Sequence, residues 1–418
     1  MSETNIKAIL VSARLKNEEA DALRTSLHEL SRLSETAGLI PIAQIEARRQ
    51  KWDPSTFIGQ GKIDEIRQLA EKNGASIVIF DEELSPAQQR NLEKALGGIP
   101  VSTRTRLIIN IFSGRAKTRE GRLQAQLAEL SYELTRLTGK GLGMDQQHGM
   151  IGGRGAGEKQ KEYDRRVLRD KIALLKKKIS DIRQEREVQR SARNAVPFPQ
   201  VSIVGYTNAG KSTFLNFITQ NRHGIYADDK LFATLDPSVK RVKMPSGSEA
   251  LFIDTVGFIQ RLPHQLIAAF RSTLEEIKYS DVILHVHDYS SQDAKLQHDA
   301  VRATLREIGT GSIPIINVFN KIDAVQDRIK AWAPVSLRPV FISAITGEGI
   351  PELLSRCEDA ISLKWKEYSE EIPRGKSNLI QFLYSCCMVK KTEYSQDCVK
   401  AVFRSTSENY ARFKKMLS

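Results

Sequence analysis

The run Val201-Ser-Ile-Val204, passing directly into Gly205-Tyr206-Thr207-Asn208-Ala209-Gly210-Lys211-Ser212, constrains this chain more than any other feature. A short apolar run ahead of a glycine-rich loop reads as a buried strand, and Thr213-Phe-Leu-Asn-Phe-Ile218 after it has helical character. Strand, phosphate loop and helix in that order imply an α/β domain with a mostly parallel sheet flanked by helices. The glycines let successive backbone amides converge on phosphates at a helix N-terminus. Lys211 then brings positive charge to the β and γ phosphates, and the Ser212 hydroxyl, followed by Thr213, becomes a ligand for Mg2+.

Two further segments complete a phosphate site. Asp254-Thr-Val-Gly257 follows the apolar strand Ala250-Leu-Phe-Ile253, where a phosphate-loop enzyme needs a carboxylate to hold magnesium through water and a glycine amide to sense the γ phosphate. Between it and the loop lies Phe232-Ala-Thr234-Leu-Asp-Pro237. Phe232 is expected beside the nucleotide, and Thr234 is expected to give magnesium a second hydroxyl while the γ phosphate is present and to swing away after hydrolysis.

The base is read from Asn320-Lys321-Ile322-Asp323, after the apolar strand Ile315-Ile-Asn-Val-Phe319. A carboxylate at Asp323 accepts from both N1–H and the 2-amino group of guanine, and adenine offers neither donor. Asn320 is expected to face N7 and Lys321 to lie along the ring and brace the loop. Ser343-Ala344, after Pro339-Val-Phe-Ile342, is expected to offer the Ala344 amide to O6. GTP is therefore the expected substrate, with Lys211, Thr234 and Gly257 acting at the reacting phosphate. The residue after Gly257 is Phe258, whose ring cannot hydrogen-bond an attacking water, so slow intrinsic turnover and stimulation by a partner are expected. His285 and His287 share a face of the strand Val282-Ile-Leu-His-Val-His-Asp288 and read as structural.

At 418 residues the chain exceeds one growing core, and several folding units are expected. The boundaries read as a small N-terminal α/β domain over 1–115, a helical hairpin over 116–194, the nucleotide domain over 195–363 and a small C-terminal α+β domain over 364–418. In the first, Ile58-Gly-Gln-Gly-Lys62 reads as a plain turn before a helix, an ATP-holding turn being the less favoured reading. In the hairpin, Leu123, Leu127, Leu130, Leu134 and Leu137 alternate steps of four and three, as do Leu168, Ile172, Leu175, Ile179 and Ile182. These seams face each other as two long antiparallel helices joined by a glycine-rich loop, Gly139 to Gly157.

A net charge of +13 points to a polyanionic partner, and its distribution names the place. Arg165, Arg166, Arg169, Lys171, Lys176, Lys177, Lys178, Arg183, Arg186, Arg190 and Arg193 crowd the second helix, a phosphate-backbone footprint. The loop Gly149 to Gly157 exposes amides able to order against RNA, a plain flexible connection being the other reading. No run approaches the roughly 20 apolar residues of a membrane span, so the expected location is the cytoplasm, with room for a ribosome-bound or membrane-peripheral fraction. Cys357, Cys386, Cys387 and Cys398 fit neither zinc nor redox spacing and read as reduced thiols, mostly in the core.

The chain resembles the HflX family of ribosome-associated GTPases, in the translation-factor-related class, over nearly its whole length. The resemblance rests on Gly205 to Ser212 with Asn208-Ala209, Ala233-Thr-Leu-Asp-Pro237, Asp254-Thr-Val-Gly-Phe-Ile259, and Gly-Gly-Arg-Gly-Ala-Gly-Glu158 with Asp164-Arg-Arg166. It implies binding to the large ribosomal subunit and its rRNA, nucleotide exchange without a tight GDP state, and splitting of stalled 70S ribosomes, by a protein expected to be monomeric. It departs from the family pattern at Ala156, where relatives usually carry proline, and at Lys159-Gln160. A nucleotide-gated RNA-binding or assembly scaffold without splitting activity is the alternative.

Overall fold

The computed structural model describes residues 6–15, 20–49, 51–138, 156–193, 198–219, 238–255, 257–259, 276–325, 332–363, 365–395 and 397–417. Phe232, Thr234, the stretch Ala233 to Pro237 and residues 149–155 of the glycine-rich loop lie outside them. By internal contacts the chain forms two units, one holding residues 1–182 and the other most of the remainder.

The first unit opens with β1 (Ile6–Leu15), α1 (Ala20–Thr36), β2 (Leu39–Arg49), α2 (Gln60–Asn73), β3 (Ile77–Phe80), α3 (Pro86–Ala95), β4 (Val101–Thr103) and α4 (Arg104–Arg115). Its four-stranded sheet has the order β2-β1-β3-β4 and is parallel throughout. Ala8, Ile9, Leu10 and Val11 are fully buried in succession, the continuous apolar run of a strand covered on both faces. Gly59 is the N-cap of α2, so Gln60, Gly61 and Lys62, expected in a turn, already form the helix's first turn, and Lys62 pairs with Glu65 on the same helix at 2.7 Å. Ser85 and Gln88 form a reciprocal capping box at the start of α3, with Pro86 in its first turn. Arg104 is buried between Asp81 (2.6 Å) and Glu29 (2.8 Å), each of its three nitrogens donating to a partner.

Two long helices follow, α5 (Arg119–Thr138) and α6 (Ala156–Arg193), as the sequence rhythm predicts. Leu127 is buried in the first seam, and Leu175 and Ile179 in the second, while the Arg165 guanidinium of α6 donates to the Leu137 carbonyl of α5. Arg166, Arg169, Lys171, Lys176, Lys177 and Lys178 are exposed along α6. Among the described residues no helix is long and apolar enough to cross a membrane.

The second unit is built on β5 (Gln200–Gly205), α7 (Lys211–Ile218), β6 (Ser238–Lys243), β7 (Glu249–Asp254), β8 (Val282–Asp288), α8 (Ala294–Ile308), β9 (Ile315–Asn320), β10 (Val340–Phe341) and α9 (Ile350–Ser362). The six-stranded sheet runs β10-β9-β8-β5-β7-β6 and is parallel except for the edge strand β6. Neighbours of β5 on its two sides are β7 and β8, so the strand order diverges at its C-terminal end, the crevice in which open α/β sheets bind ligands. The core packs Phe214 and Leu215 of α7 and Leu353 and Cys357 of α9 against one face of the sheet, which presents Val201, Ile203, Leu284 and Val286.

A smaller sheet closes the chain, with β11 (Lys366–Pro373), α10 (Ser377–Cys386), β12 (Met388–Tyr394), β13 (Cys398–Ser405) and α11 (Ser407–Leu417). Its order is β11-β13-β12, all antiparallel, over a core of Ile372, Leu379, Leu383, Phe403 and Phe413. Cys357, Cys386 and Cys387 are buried free thiols and Cys398 is half-buried; burial pushes the Cys387 thiol up to about 12, which keeps it protonated.

Candidate functional site: the nucleotide crevice

Gly205 to Ser212 sits at the end of β5, where α7 begins at Lys211 behind Gly210. Gly210 has φ 87° and no side-chain cap, so the first turn of the helix opens toward the loop. A Cβ at Gly210 would run into the Asn320 amide nitrogen, so this position requires glycine twice over. Asn208 also takes a left-handed conformation, φ 61°, which its short polar side chain tolerates.

Lys211 is buried, and its ammonium donates to the carbonyls of Gly205 (3.1 Å) and Tyr206 (2.8 Å). Burial lowers its pKa to about 8, with Asp254 acting in the opposite direction. Asp254 comes from the end of β7, fully buried, and Ser212 Oγ donates to its Oδ2 at 2.8 Å. A hydroxyl and a carboxylate brought together in a buried place form an all-oxygen donor set, which suits a hard cation such as Mg2+.

The segment after β7 lies against the loop. Thr207 N–H donates to Phe258 O at 2.7 Å, and Phe258 N–H donates to Gly205 O at 3.1 Å, a strand-like bridge between the two segments. The place of Gly257 is tight: a Cβ there would stand 2.8 Å from Thr207 Cγ2 and 3.0 Å from the Lys211 ammonium. Phe258 itself is buried.

The segment expected to read the base begins at the end of β9. Asn320 is buried and spans two loops, donating to Ala209 O and accepting from Ala344 N–H, both at 2.9 Å. The sequence reading gave Asn320 to N7, the Ala344 amide to O6, and Lys321 to the ring and the loop. In the structure Asn320 braces the two loops, with the Ala344 amide as its donor, and Lys321 Nζ stands 2.7 Å from Asp288 Oδ2. Lys321 holds φ 68°, a left-handed turn out of the strand. Asp323 follows in a single 3-10 turn and is exposed. Ser343 Oγ accepts from the amides of Ile345 (3.3 Å) and Thr346 (3.0 Å), shaping the turn that carries Ala344.

Asp288 was not anticipated. It stands at the C-terminal end of a parallel strand beside β5, a position from which the crevice is generally lined, and that position was the signal available in the sequence. Of the residues expected at the nucleotide, Phe232 and Thr234 lie outside the described residues; the others converge on one end of one sheet.

Four family models match in succession: "GTP-binding GTPase N-terminal" over residues 24–113, "GTP-binding GTPase Middle Region" over 115–193, "50S ribosome-binding GTPase" over 200–321 and "HflX C-terminal domain" over 329–417. A GTPase HflX of Lacrimispora saccharolytica is 45% identical over 95% of this chain and 93% of its own length. The GTPase HflX of Escherichia coli is 40% identical over 89% and 87%. Among solved structures, a GTP-binding protein from Sulfolobus solfataricus in complex with GDP is similar at 22% identity over 86% of this chain and 99% of that one, with a TM-score of 0.45. With relatives this similar along nearly its full length, the chain belongs to the HflX family of GTPases, proteins that bind and hydrolyse GTP.

Proposed function

We propose that this GTPase acts on the large ribosomal subunit and, in its GTP-bound form, splits stalled or idle 70S ribosomes into subunits. The observation that carries the reading is the exposed basic row Arg166, Arg169, Lys171, Lys176, Lys177 and Lys178 along α6, in a chain whose residues 200–321 match a family described as 50S ribosome-binding. Such a row neutralises phosphates and releases counterions, so rRNA is the partner that it fits, together with the glycine-rich loop ahead of it. The protein works as a monomer in this reading.

At the crevice, the amides of Gly205 to Thr213 cradle the phosphates and Lys211 neutralises the charge that develops on the transferred group. Magnesium, when bound, neutralises the β and γ oxygens; Ser212, Asp254 and Thr234 are the residues that would hold it. Gly257 supplies its amide to the γ phosphate, and Phe232 lies beside the nucleotide. Asp323 reads guanine, within a frame set by Asn320, Lys321, Ser343 and Ala344. Phe258 gives the attacking water no hydrogen bond, so hydrolysis is slow until the ribosome orders the switch segments.

The test is a sucrose gradient of 70S ribosomes mixed with the protein and a non-hydrolysable GTP analogue. Free subunits are expected to accumulate, and purified 50S subunits are expected to raise the slow basal hydrolysis rate. Intact 70S carrying bound protein would overturn splitting. An unchanged hydrolysis rate with folded, GTP-bound protein would overturn ribosomal activation.

A further inference from the structure

One face of the sheet of the second unit brings together three imidazoles, two from β8 and one from α8. His285 and His287 are two apart on β8 and therefore project from the same side. His298 comes down onto them from α8. The His285 and His287 ring centroids are 3.9 Å apart, and His298 lies 5.1 and 5.2 Å from them. One ring nitrogen of each lies within 4.8 Å of the other two. His285 is 1% exposed and His287 3%, while His298 is half-buried.

The hydrogen bonding around these rings is incomplete in a specific way. Nδ1 of His285 and Nδ1 of His298 are buried and have no hydrogen-bond partner. Leaving a buried polar atom unsatisfied is costly, so these two nitrogens call for a partner. At His287 the second ring nitrogen has an outer partner: Nε2 lies 3.4 Å from Asn317 Oδ1, and Asn317 Nδ2 donates to the Leu337 carbonyl at 3.1 Å. That carbonyl fixes the amide with its oxygen toward the imidazole, so Nε2 carries the hydrogen and Nδ1 keeps the lone pair. An outer acceptor holding one nitrogen so that the other points its lone pair inward is the arrangement found behind metal-ligating histidines. Burial, and then the neighbouring rings, lower the pKa of His287 to about 3 and that of His285 well below its ordinary value, which leaves neutral imidazole, the ligating form.

We propose that His285, His287 and His298 form a binding site for one divalent transition-metal ion of the zinc class. Three nitrogens without a carboxylate suit Zn2+, Co2+, Ni2+ or Cu2+ and do not suit Mg2+ or Ca2+. Tetrahedral coordination at 2.0–2.1 Å sets donors about 3.3 Å apart, so the nitrogens draw together on binding. His298 has the freedom to do so because it is half-buried on a helix, and the fourth position falls to water from that side. Phe319, stacked on His287 at 4.6 Å, and Trp332, 5.2 Å from His298, wall the remainder with apolar surface. The charges of Arg302 and Lys211, which act on His285, oppose a cation, so the site binds more weakly than one that includes a carboxylate. Occupancy pins α8 to β8, and β8 ends at Asp288, the partner of Lys321. The site is a clamp on the sheet, and no chemistry is assigned to it.

The test uses the full chain, stripped with chelator and dialysed. Titration with Co2+ is expected to produce the intense visible absorption of a tetrahedral nitrogen site, saturating at one equivalent, and Zn2+ is expected to abolish it and to raise the melting temperature. His298→Asn and His287→Leu are each expected to lose the absorption and the thermal shift, weakening Zn2+ binding beyond the roughly 10–100-fold that outer-partner changes cost. Retained GTP binding in His298→Asn shows that the variant is folded. Absence of the cobalt band in folded wild-type protein would overturn the proposal. So would a band that survives both substitutions, because the metal would then lie elsewhere.

Discussion

Lys211 illustrates how a residue that is obvious in a motif acquires a property the motif does not state. Its ammonium is buried against two loop carbonyls with a pKa near 8, so part of the population is neutral at mildly alkaline pH. Triphosphate beside it favours the charged form, so the complex holds more protons than the free protein. GTP affinity is expected to fall as pH rises through 8, with calorimetry in buffers of different ionisation enthalpy showing proton uptake on binding. Affinity flat from pH 7 to pH 9 would refute this, and Lys211→Ala is expected to abolish nucleotide binding. Asp323→Asn exchanges an acceptor for a donor and is expected to shift preference from GTP toward xanthine nucleotides, by competition binding. Glu82, in the first unit, was invisible to sequence reading. Its Oε1 accepts from Ser12 and Ala13 while its Oε2 is buried without a partner. Burial, then Asp81, raises its pKa to about 7. Because the folded state holds this proton more tightly than the unfolded chain, the associated stability is present below about pH 4.5 and is lost as pH rises through 7. Glu82→Gln is therefore expected to stabilise the chain at pH 8, by as much as ~3 kcal/mol, and to be near neutral at pH 4.5 in denaturant titrations.

Among the elements, those with strong apolar rhythm were legible and those carried by charge were not. The heptad steps of α5 and α6 are written in leucine and isoleucine, and Leu175 and Ile179 are buried as that rhythm requires. Leu175→Ala is expected to cost about 2 kcal/mol, whereas its neighbour Leu174, 53% exposed, is expected to tolerate alanine with little change in a urea titration. Equal effects would mean that the seam does not face α6's partner. β11 was missed. Its sequence, Lys-Glu-Tyr-Ser-Glu-Glu-Ile-Pro, has weak strand propensity, and it forms at a sheet edge where its own Ile372 is buried in the small core. The pairing of Asn320 with Ala209 and Ala344 was equally out of reach, since it joins three loops far apart in sequence. Spacing supplied the identities of the residues, and only the three-dimensional arrangement supplied their partners.

For the whole molecule, the phosphate and guanine motifs sufficed to read a parallel α/β GTPase domain from the sequence, because each motif is tied to a strand end. The division into two units was less legible, since α6 runs from one into the other without a break in its helical pattern. Each unit has its own sheet and core, so calorimetric unfolding is expected to show more than one transition. GTP at 100 times its dissociation constant should stabilise only the transition of the unit holding residues 200–325, by about 2.7 kcal/mol; a single transition that shifts as a whole would contradict it. One feature of that unit makes such binding visible without labels. Trp332 packs beside Phe319 and Ile322, in the same small cluster that seats the turn carrying Asp323. The other two indoles lie elsewhere, Trp52 stacked on Phe57 in the first unit and Trp365 at the edge of the main core. Excited at the red edge of indole absorption, Trp332 is expected to report on the proposed base pocket, and its emission changes on GTP binding should vanish in a Trp332→Phe protein.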